Sequence, residues 1–320
     1  MSSSATEHLS RRQKRRAFKQ LEADRGAWYP RWFWPSFAAP AVLWQSIFFI
    51  LPFYVIIAVA FGTYDALRSP VPIFQPWFWD FAQFQEVLSD IFGSDAKYQA
   101  VYLRTFAFII IATMLCLVIG YTVAYFVARH GGRRKTLFLV LLIAPFWINY
   151  LMRMFAWQSL LADDGFVNDV FAFVPGLTPV AWLSGKPYTV ILGLVYGYVP
   201  YLVLPVYGQL DRIGSSLLEA GRDLGASPWQ TFRRVTLPLS KPALLAGVII
   251  IMLPMMGDYY TNQLLSGSPK TTMVGNIIDR SVFEPGRGAL GASVVLTLIV
   301  ILLVPMIYYM RTTARQAVDR

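Results

Sequence analysis

The chain is poor in the residues that build reactive centres. Of its 320 residues, one is cysteine (Cys116) and two are histidine (His8 and His130). One cysteine excludes an internal disulfide, and no Cys/His cluster with zinc spacing exists. Both histidines lie in basic polar segments, so neither a metal site nor a histidine-based catalytic triad is expected. No Gly-rich phosphate loop occurs, which argues that the chain does not hydrolyse ATP by itself. Charge is scarce too. Only 14% of residues are Asp, Glu, Lys or Arg, against about one quarter in soluble domains.

What is abundant is apolar: 56% of the chain is hydrophobic and 16% aromatic. That composition is expected of an all-α, polytopic membrane protein. The net charge is +10, from 28 basic and 18 acidic residues. A basic balance suits nucleic acid, but here the basic residues sit at the ends of apolar spans, so membrane lipid is the expected partner and nucleic acid is not.

Six apolar spans are expected at 38–61, 106–128, 136–160, 188–209, 242–263 and 289–310, each near the roughly 20 residues that cross a bilayer. Pro145, Asn149 and Arg153 interrupt the third, and Pro200, Pro205 and Pro254 fall in the fourth and fifth. Placing the N-terminus in the cytoplasm puts 20 of the 28 Lys and Arg residues on the cytoplasmic side and 7 outside, with Arg153 inside a span. The positive-inside rule then gives a multi-pass protein of the cell (inner, cytoplasmic) membrane with both termini cytoplasmic. The division reads as a basic cytoplasmic tail at 1–36, a first span and outer loop at 37–100, a core at 101–311 with a cytoplasmic loop at 210–240, and a short tail at 312–320. The first tail, with R-R-Q-K-R-R at 11–16, lacks the pattern of a signal peptide and suits anionic lipid. Trp28, Tyr29, Trp32 and Trp34 follow it as an interfacial aromatic belt. The outer loop at 62–105 reads as carrying an amphipathic helix on the outer surface, around Phe84 to Leu88.

The loop at 210–240 holds the densest local signal, E-A-G-R-D-L-G-A-S-P-W-Q-T-F-R-R-V-T-L-P at 219–238. It reads as two short helices joined at a bend. Ser216 and Glu219 have capping-box spacing. Leu217, Leu218 and Leu224 mark an apolar face, and Gly225 ends the first helix. Ser227, Pro228 and Gln230 start the second as N-cap, N1 and N3. Trp229, Phe232 and Val235 form its apolar side, Arg233 and Arg234 face water or a partner, and Pro238 stops it.

This stretch resembles the E-A-A, three residues, G, nine residues, I-x-L-P signature of permease subunits of ATP-binding-cassette importers. Glu219, Ala220, Gly225, Leu237 and Pro238 match in spacing, while Gly221 replaces the second Ala and Val235 the Ile. Further stretches resemble the spermidine/putrescine permease subgroup: A-P-F-W-I-N-Y-L-M-R from Ala144, G-L-V-Y-G-Y-V-P from Gly193, M-L-P-M-M-G-D-Y-Y from Met252 and M-V-G-N-I-I from Met273. The resemblance implies the type I importer permease fold and a complex with a second permease subunit, two copies of an ATPase subunit and an extracytoplasmic binding protein. ATP and Mg would lie on the ATPase, with no cofactor in this chain. It implies that Glu219, Ala220, Gly221, Asp223, Gly225, Leu237 and Pro238 couple the ATPase to transport. For Glu219 an interface contact and the internal capping box with Ser216 both stand.

Two ionisable residues lie inside spans, where they are costly and often functional. Asp258 is expected roughly 24 Å along the fifth span, and Arg153 reaches a similar depth in the third. They read either as an ion pair or as parts of a cation pathway in which Asp258, Tyr259, Tyr260, Trp147, Asn149 and Tyr150 surround an ammonium. Gly193 and Gly197 suit close helix packing or, with Tyr198 and Pro200, a gate hinge. The expected function is translocation of polyamines. The alternatives are another small solute (an amino acid, an opine or chelated iron) and, in a different class, a channel that needs no ATPase.

Overall fold

The structure is a computed structural model that describes residues 32–64, 70–93 and 97–318. The chain divides into two compact units, Met1–Val55 and Ile56–Arg320. The basic tail with its 11–16 run, Trp28 and Tyr29 lies outside the described residues. The first unit carries α1 (Phe33–Gln45) and a wide π turn, Ser46–Ile50. Trp32 and Trp34 are both 65% exposed, as residues of an interfacial belt would be. Helix α2 (Leu51–Ala60) runs on across the division, and Phe33–Ala60 together form one apolar stretch long enough to cross a membrane.

The second unit is helical apart from one two-residue antiparallel pairing, Thr63–Tyr64 with Pro70–Val71. Its elements are α3 (Ala82–Phe92), α4 (Gln99–His130), α5 (Lys135–Ile143), α6 (Tyr150–Leu160), α7 (Phe166–Phe173), α8 (Pro187–Arg212), α9 (Ser215–Asp223), α10 (Pro228–Thr231), α11 (Leu237–Met256), α12 (Tyr260–Leu265), α13 (Val274–Phe283) and α14 (Gly288–Val318). Among the described residues, four helical stretches are long and apolar enough to span a membrane: Phe33–Ala60, Gln99–His130, Pro187–Arg212 and Pro228–Met256. The bent pair Gly132–Trp147 and Tyr150–Leu160 passes the same test only when its two helices are taken together, as a broken span or a re-entrant loop. The expected sixth span, 289–310, falls on α14, whose Gly288–Val304 portion is apolar.

Helices α4, α8 and α11 pack into the core. Within a bilayer such packing rests on close approach rather than on expulsion of water. Leu202 of α8 shows how: a methyl group placed on Gly247 would lie 2.5 Å from its Cδ1, and one on Gly120 would lie 3.0 Å from its Cδ2. Cys116 is buried there, its Sγ 3.8 Å from the Val195 carbonyl oxygen. Outward-facing Ile110, Leu115, Val118, Leu141 and Val300 are exposed, as lipid-facing residues would be.

Four expectations are corrected. Helix α4 starts at Gln99, earlier than 106, because its polar first turns find partners. Arg104 donates to the carbonyls of Thr272 (2.9 Å) and Lys270 (2.7 Å), and Thr105 Oγ1 accepts the Val274 N–H at 3.0 Å. The third span is bent by 89°. Ile148 and Asn149 are extended, and Asn149 restarts the helix by accepting the Leu151 N–H at 2.8 Å, the N-cap role that asparagine fills well. The fifth span begins at Pro228 and ends at Met256, so Asp258 lies beyond it. The amphipathic helix expected around Phe84 to Leu88 appears as α3. Its Val87 and Ile91 are buried in the core, with α14 and α4 packed beside it, so it is seated in the bundle and does not merely rest on the surface.

In the loop at 161–187, Asn168 is the organiser. Its amide donates to the carbonyls of Ala162, Asp163 and Val180, and its Oδ1 accepts from the Val180 N–H and the Trp182 indole.

The glycine pair on α8 makes the close helix contacts expected of packing. A methyl at Gly193 would meet Leu265 at 2.5 Å and Thr261 at 2.6 Å, whereas Gly208 on the same helix has open space around it. Gly193→Ala is therefore expected to destabilise the protein by about 1–3 kcal/mol, while Gly208→Ala is neutral or stabilising by up to about 1 kcal/mol. Thermal unfolding of the two variants in detergent reads the difference; equal midpoints would contradict this packing.

Candidate functional site

Two constellations stand out, and each is assembled from residues the sequence singles out. The first is the loop between α8 and α11. Helix α9 is nine residues long with Gly214 at its N-cap and no side-chain cap. The expected Ser216–Glu219 capping box is therefore not formed, because the helix starts two residues earlier than that box requires and Ser216 lies inside its first turn. Glu219 is exposed and free of that role. The helix ends as glycine allows. Gly225 has φ +79°, its N–H bonds the Arg222 carbonyl at 2.8 Å, and the Ala226 N–H bonds the Gly221 carbonyl at 3.1 Å, a Schellman closure. Gly221 faces Thr231, and a methyl there would sit 3.5 Å away, so the alanine usual at this position would fit.

The second arm opens with the expected capping box. Ser227 Oγ accepts the Gln230 N–H at 3.2 Å, and Gln230 Oε1 accepts the Ser227 N–H at 2.8 Å. It is not a short helix, however. Pro238 does not stop it: a π turn at Phe232–Thr236 leads straight into α11, with the Leu237 N–H bonded to the Phe232 carbonyl. The widened turn removes the clash a proline ring makes with the carbonyl four residues before it. Consequently 228–256 is one continuous helix. Phe232 anchors it edge-on against Tyr121 (5.8 Å) and Tyr125 (5.7 Å) of α4.

The expected apolar face of α9 is only partly a core face. Leu218 packs against the core, but Leu217 is 52% exposed and Leu224 88%. Trp229 is 66% exposed and stacks on Phe232 at 5.4 Å. Arg233 and Arg234 are exposed, as expected. Glu219, Ala220, Asp223, Gly225 and Pro238 are exposed as well, with Gly221 and Leu237 half-buried.

The second constellation surrounds Asp258, just past the end of α11. The Asp258 carboxylate receives four donors: Tyr150 Oη (2.9 Å), Tyr198 Oη (3.2 Å), the Thr261 N–H (3.0 Å) and Thr261 Oγ1 (2.8 Å). Tyr150 also contacts Thr261 Oγ1 directly. One side chain thus joins α6, α8 and the break between α11 and α12. The break is braced from behind, where a methyl at Gly275 would meet the carbonyls of Gly257 and Asp258 at 2.7 Å. Asn276 adds to this by donating to the Tyr259 carbonyl at 3.0 Å and accepting from the Asn262 amide at 2.8 Å.

Asp258 and Arg153 do not pair among the described residues. The Tyr150 ring stands between their roles, its hydroxyl on Asp258 and its face 5.3 Å from the Arg153 guanidinium. Arg153 is 6% exposed, over Phe146 at 4.1 Å and near Tyr196 at 5.9 Å. Of the expected pathway residues, Asp258, Tyr150 and Arg153 converge. Trp147 is 78% exposed, Asn149 is spent capping α6, and Tyr259 stacks on the neighbouring Tyr260 at 4.0 Å. Sequence reasoning missed Thr261, Tyr196 and Phe146, and noted Tyr198 only as part of a hinge. The spacing of Asp258 and Thr261, that of a capping residue and the N–H three residues on, is the signal that could have found the first.

Residues 117–317 match the family described as binding-protein-dependent transport system inner membrane component. The chain belongs to that family. It is 33% identical over 270 residues to the spermidine/putrescine transport system permease protein PotB of Escherichia coli K12, covering 84% of this chain and 94% of that protein. The PotB of Haemophilus influenzae is 32% identical over 83% of this chain and 89% of its own length. In structure, the chain resembles a component of a bacterial ABC transporter involved in the import of the acidic polysaccharide alginate, with a TM-score of 0.69, 18% identity, and coverage of 94% of this chain and 99% of that one. The fold is therefore that of an importer permease, in a multi-pass membrane protein.

The Asp258 cluster predicts a graded series. Tyr198→Phe removes one hydrogen bond to a charged group and is expected to cost about 1.5–3 kcal/mol. Tyr150→Phe is expected to cost more, because its hydroxyl serves both Asp258 and Thr261. Thermal unfolding of the purified variants gives the order, and a Tyr150→Phe protein as stable as wild type would contradict it.

Proposed function

We propose that this chain is one permease subunit of an ATP-driven importer of spermidine and putrescine. The observation that carries the substrate is its relationship, across most of both chains, to permeases of spermidine/putrescine systems. The working complex takes a second permease subunit, two copies of an ATPase subunit that hold ATP and Mg, and an extracytoplasmic binding protein that delivers the polyamine. Both termini and the Glu219 loop lie on the cytoplasmic side, where 20 of the 28 basic residues fall. Hydrolysis belongs to the ATPase subunit, and this chain is not an enzyme.

In this reading α9 is the coupling helix. Leu217, Leu224 and Trp229 present an exposed apolar surface beside Glu219, Asp223 and Arg233, a mixture suited to a protein cleft. Movement of α9 and its Schellman turn passes through Ser227 and Leu237 into the continuous helix 228–256. Its far end is the Asp258 cluster. A tyrosine-lined carboxylate suits an ammonium, but in the state seen all four donors are engaged. A cation reaches Asp258 only when Tyr150 or Tyr198 lets go, so the cluster acts as a latch as well as a pathway residue.

Uptake of labelled spermidine and putrescine tests this in cells that lack their own polyamine importers and carry this chain with its partner subunits. ATP-dependent accumulation is expected. Glu219→Ala is expected to lower it by more than about tenfold through loss of a charged interface contact, with the permease still inserted. Asp258→Asn is expected to lower it as well. No accumulation in cells where the complex demonstrably assembles would remove the polyamine assignment, and unchanged uptake by the Glu219→Ala complex would remove the coupling role.

A further inference from the structure

A polar cavity lies where α4 and α8 end and α5 and α9 begin. It holds about 450 Å³ and is walled by Arg129, His130, Lys135, Asp211, Glu219 and Arg222. Its charges do not balance. Asp211 is already paired with Lys135 at 2.5 Å. Arg129 donates Nη1 to the Ile213 carbonyl at 2.9 Å, while its Nε and Nη2 are buried with no partner. Neither Arg129 nor Arg222 belongs to an ion pair among the described residues. Two guanidiniums and an imidazole thus face a single unmatched carboxylate, Glu219. Buried donors without acceptors carry their full desolvation penalty, and the group that relieves them is an anion with several acceptor oxygens.

The place decides the chemistry. The cavity sits at the membrane-boundary end of two spanning helices, at the level where a leaflet presents its phosphates. Basic pockets between spanning helices at that level bind anionic headgroups. The volume is many times the roughly 30 Å³ share of one water, enough for a phosphate group with its first waters. We propose that this cavity binds a phosphate-bearing anion, either an anionic phospholipid headgroup or free phosphate. The occupant is held between the fixed end of α4, through Arg129, and α9, through Arg222. Binding there braces α9 through Glu219 and Arg222, while Leu224 at its end stays exposed, and so tunes how freely the coupling helix moves. The inference rests on the membrane placement proposed above and not on the solute, so failure of polyamine uptake leaves its test intact.

The intact importer complex in detergent is the sample. Retention of phosphatidylglycerol is measured by native mass spectrometry against phosphatidylcholine as the neutral control. Binding of labelled inorganic phosphate is measured by equilibrium dialysis. Wild type is expected to retain phosphatidylglycerol in preference to phosphatidylcholine, or to bind phosphate. Arg129→Gln and Arg222→Gln are each expected to weaken that binding by about fivefold. Arg222 is exposed, so its variant carries the test if Arg129→Gln, which also loses the Ile213 bond, fails to assemble. Phosphate that displaces the lipid identifies a site for the soluble anion, and lipid retained against phosphate identifies the headgroup. Equal retention of both lipids with no phosphate bound, or wild-type binding in the assembled variants, overturns the proposal.

Discussion

A carboxylate set among membrane-spanning helices must be met by donors, and the way Asp258 is met shapes this protein. Four hydrogen bonds converge on it from α6, α8 and the segment that follows α11. The elements that supply them are held close by glycines. Gly197 leaves room for the Tyr150 ring, which would lie 2.9 Å from a methyl there, and Gly193 leaves room for Thr261 and Leu265. Small residues on α8 therefore bring the donors into range, and the carboxylate repays the approach with charge-assisted bonds. The bend of the third span belongs to the same construction, since only after Asn149 restarts the helix does Tyr150 point at Asp258.

The other end of the molecule is joined to this cluster by one continuous helix. The π turn at Phe232–Thr236 carries the chain past Pro238 without a break, and the capping box at Ser227 fixes where that helix begins. Between the loop and the cluster the chain is continuous helix, held to α4 by Phe232 and by the Tyr121–Ser240 hydroxyl contact at 3.1 Å. In the proposed coupling, a push on α9 follows this helix to the residues that tie α6 to α8.

Much of this was legible in the sequence, and what was missed has physical reasons. Apolar runs located the spans, because length and hydropathy are properties of a segment alone. Their ends were misplaced where polar residues find distant partners, as Arg104 and Thr105 do on 270–274, some 166 to 169 residues away in sequence. Gly225 and Ser227 were read correctly because a helix stop and a capping box are local. Ser216 was misread because its spacing is satisfied on paper while the chain starts the helix at Ser215, with Gly214 as its N-cap. Pro238 was misread because the remedy for a proline, a wide turn, leaves no residue signature. Asp258 and Arg153 were placed at similar depth, but Tyr150 at the start of α6, Phe146 in the turn before it and Tyr196 of α8 gather around Arg153 only through the bend of the third span and its packing on α8, so only the fold shows that each charge has its own aromatic surroundings.

The central claim is that the α9 loop meets the ATPase and drives the fifth span. The most direct measurement is site-specific cross-linking in the assembled importer, with Leu224→Cys in a Cys116→Ser background and Phe173→Cys as the control on the opposite end. Both positions are 88% exposed. The account predicts an adduct between residue 224 and the ATPase subunit whose yield changes when ATP is added, and none from residue 173. An importer that transports normally yet gives no adduct at 224, or equal adducts at both positions, would contradict it.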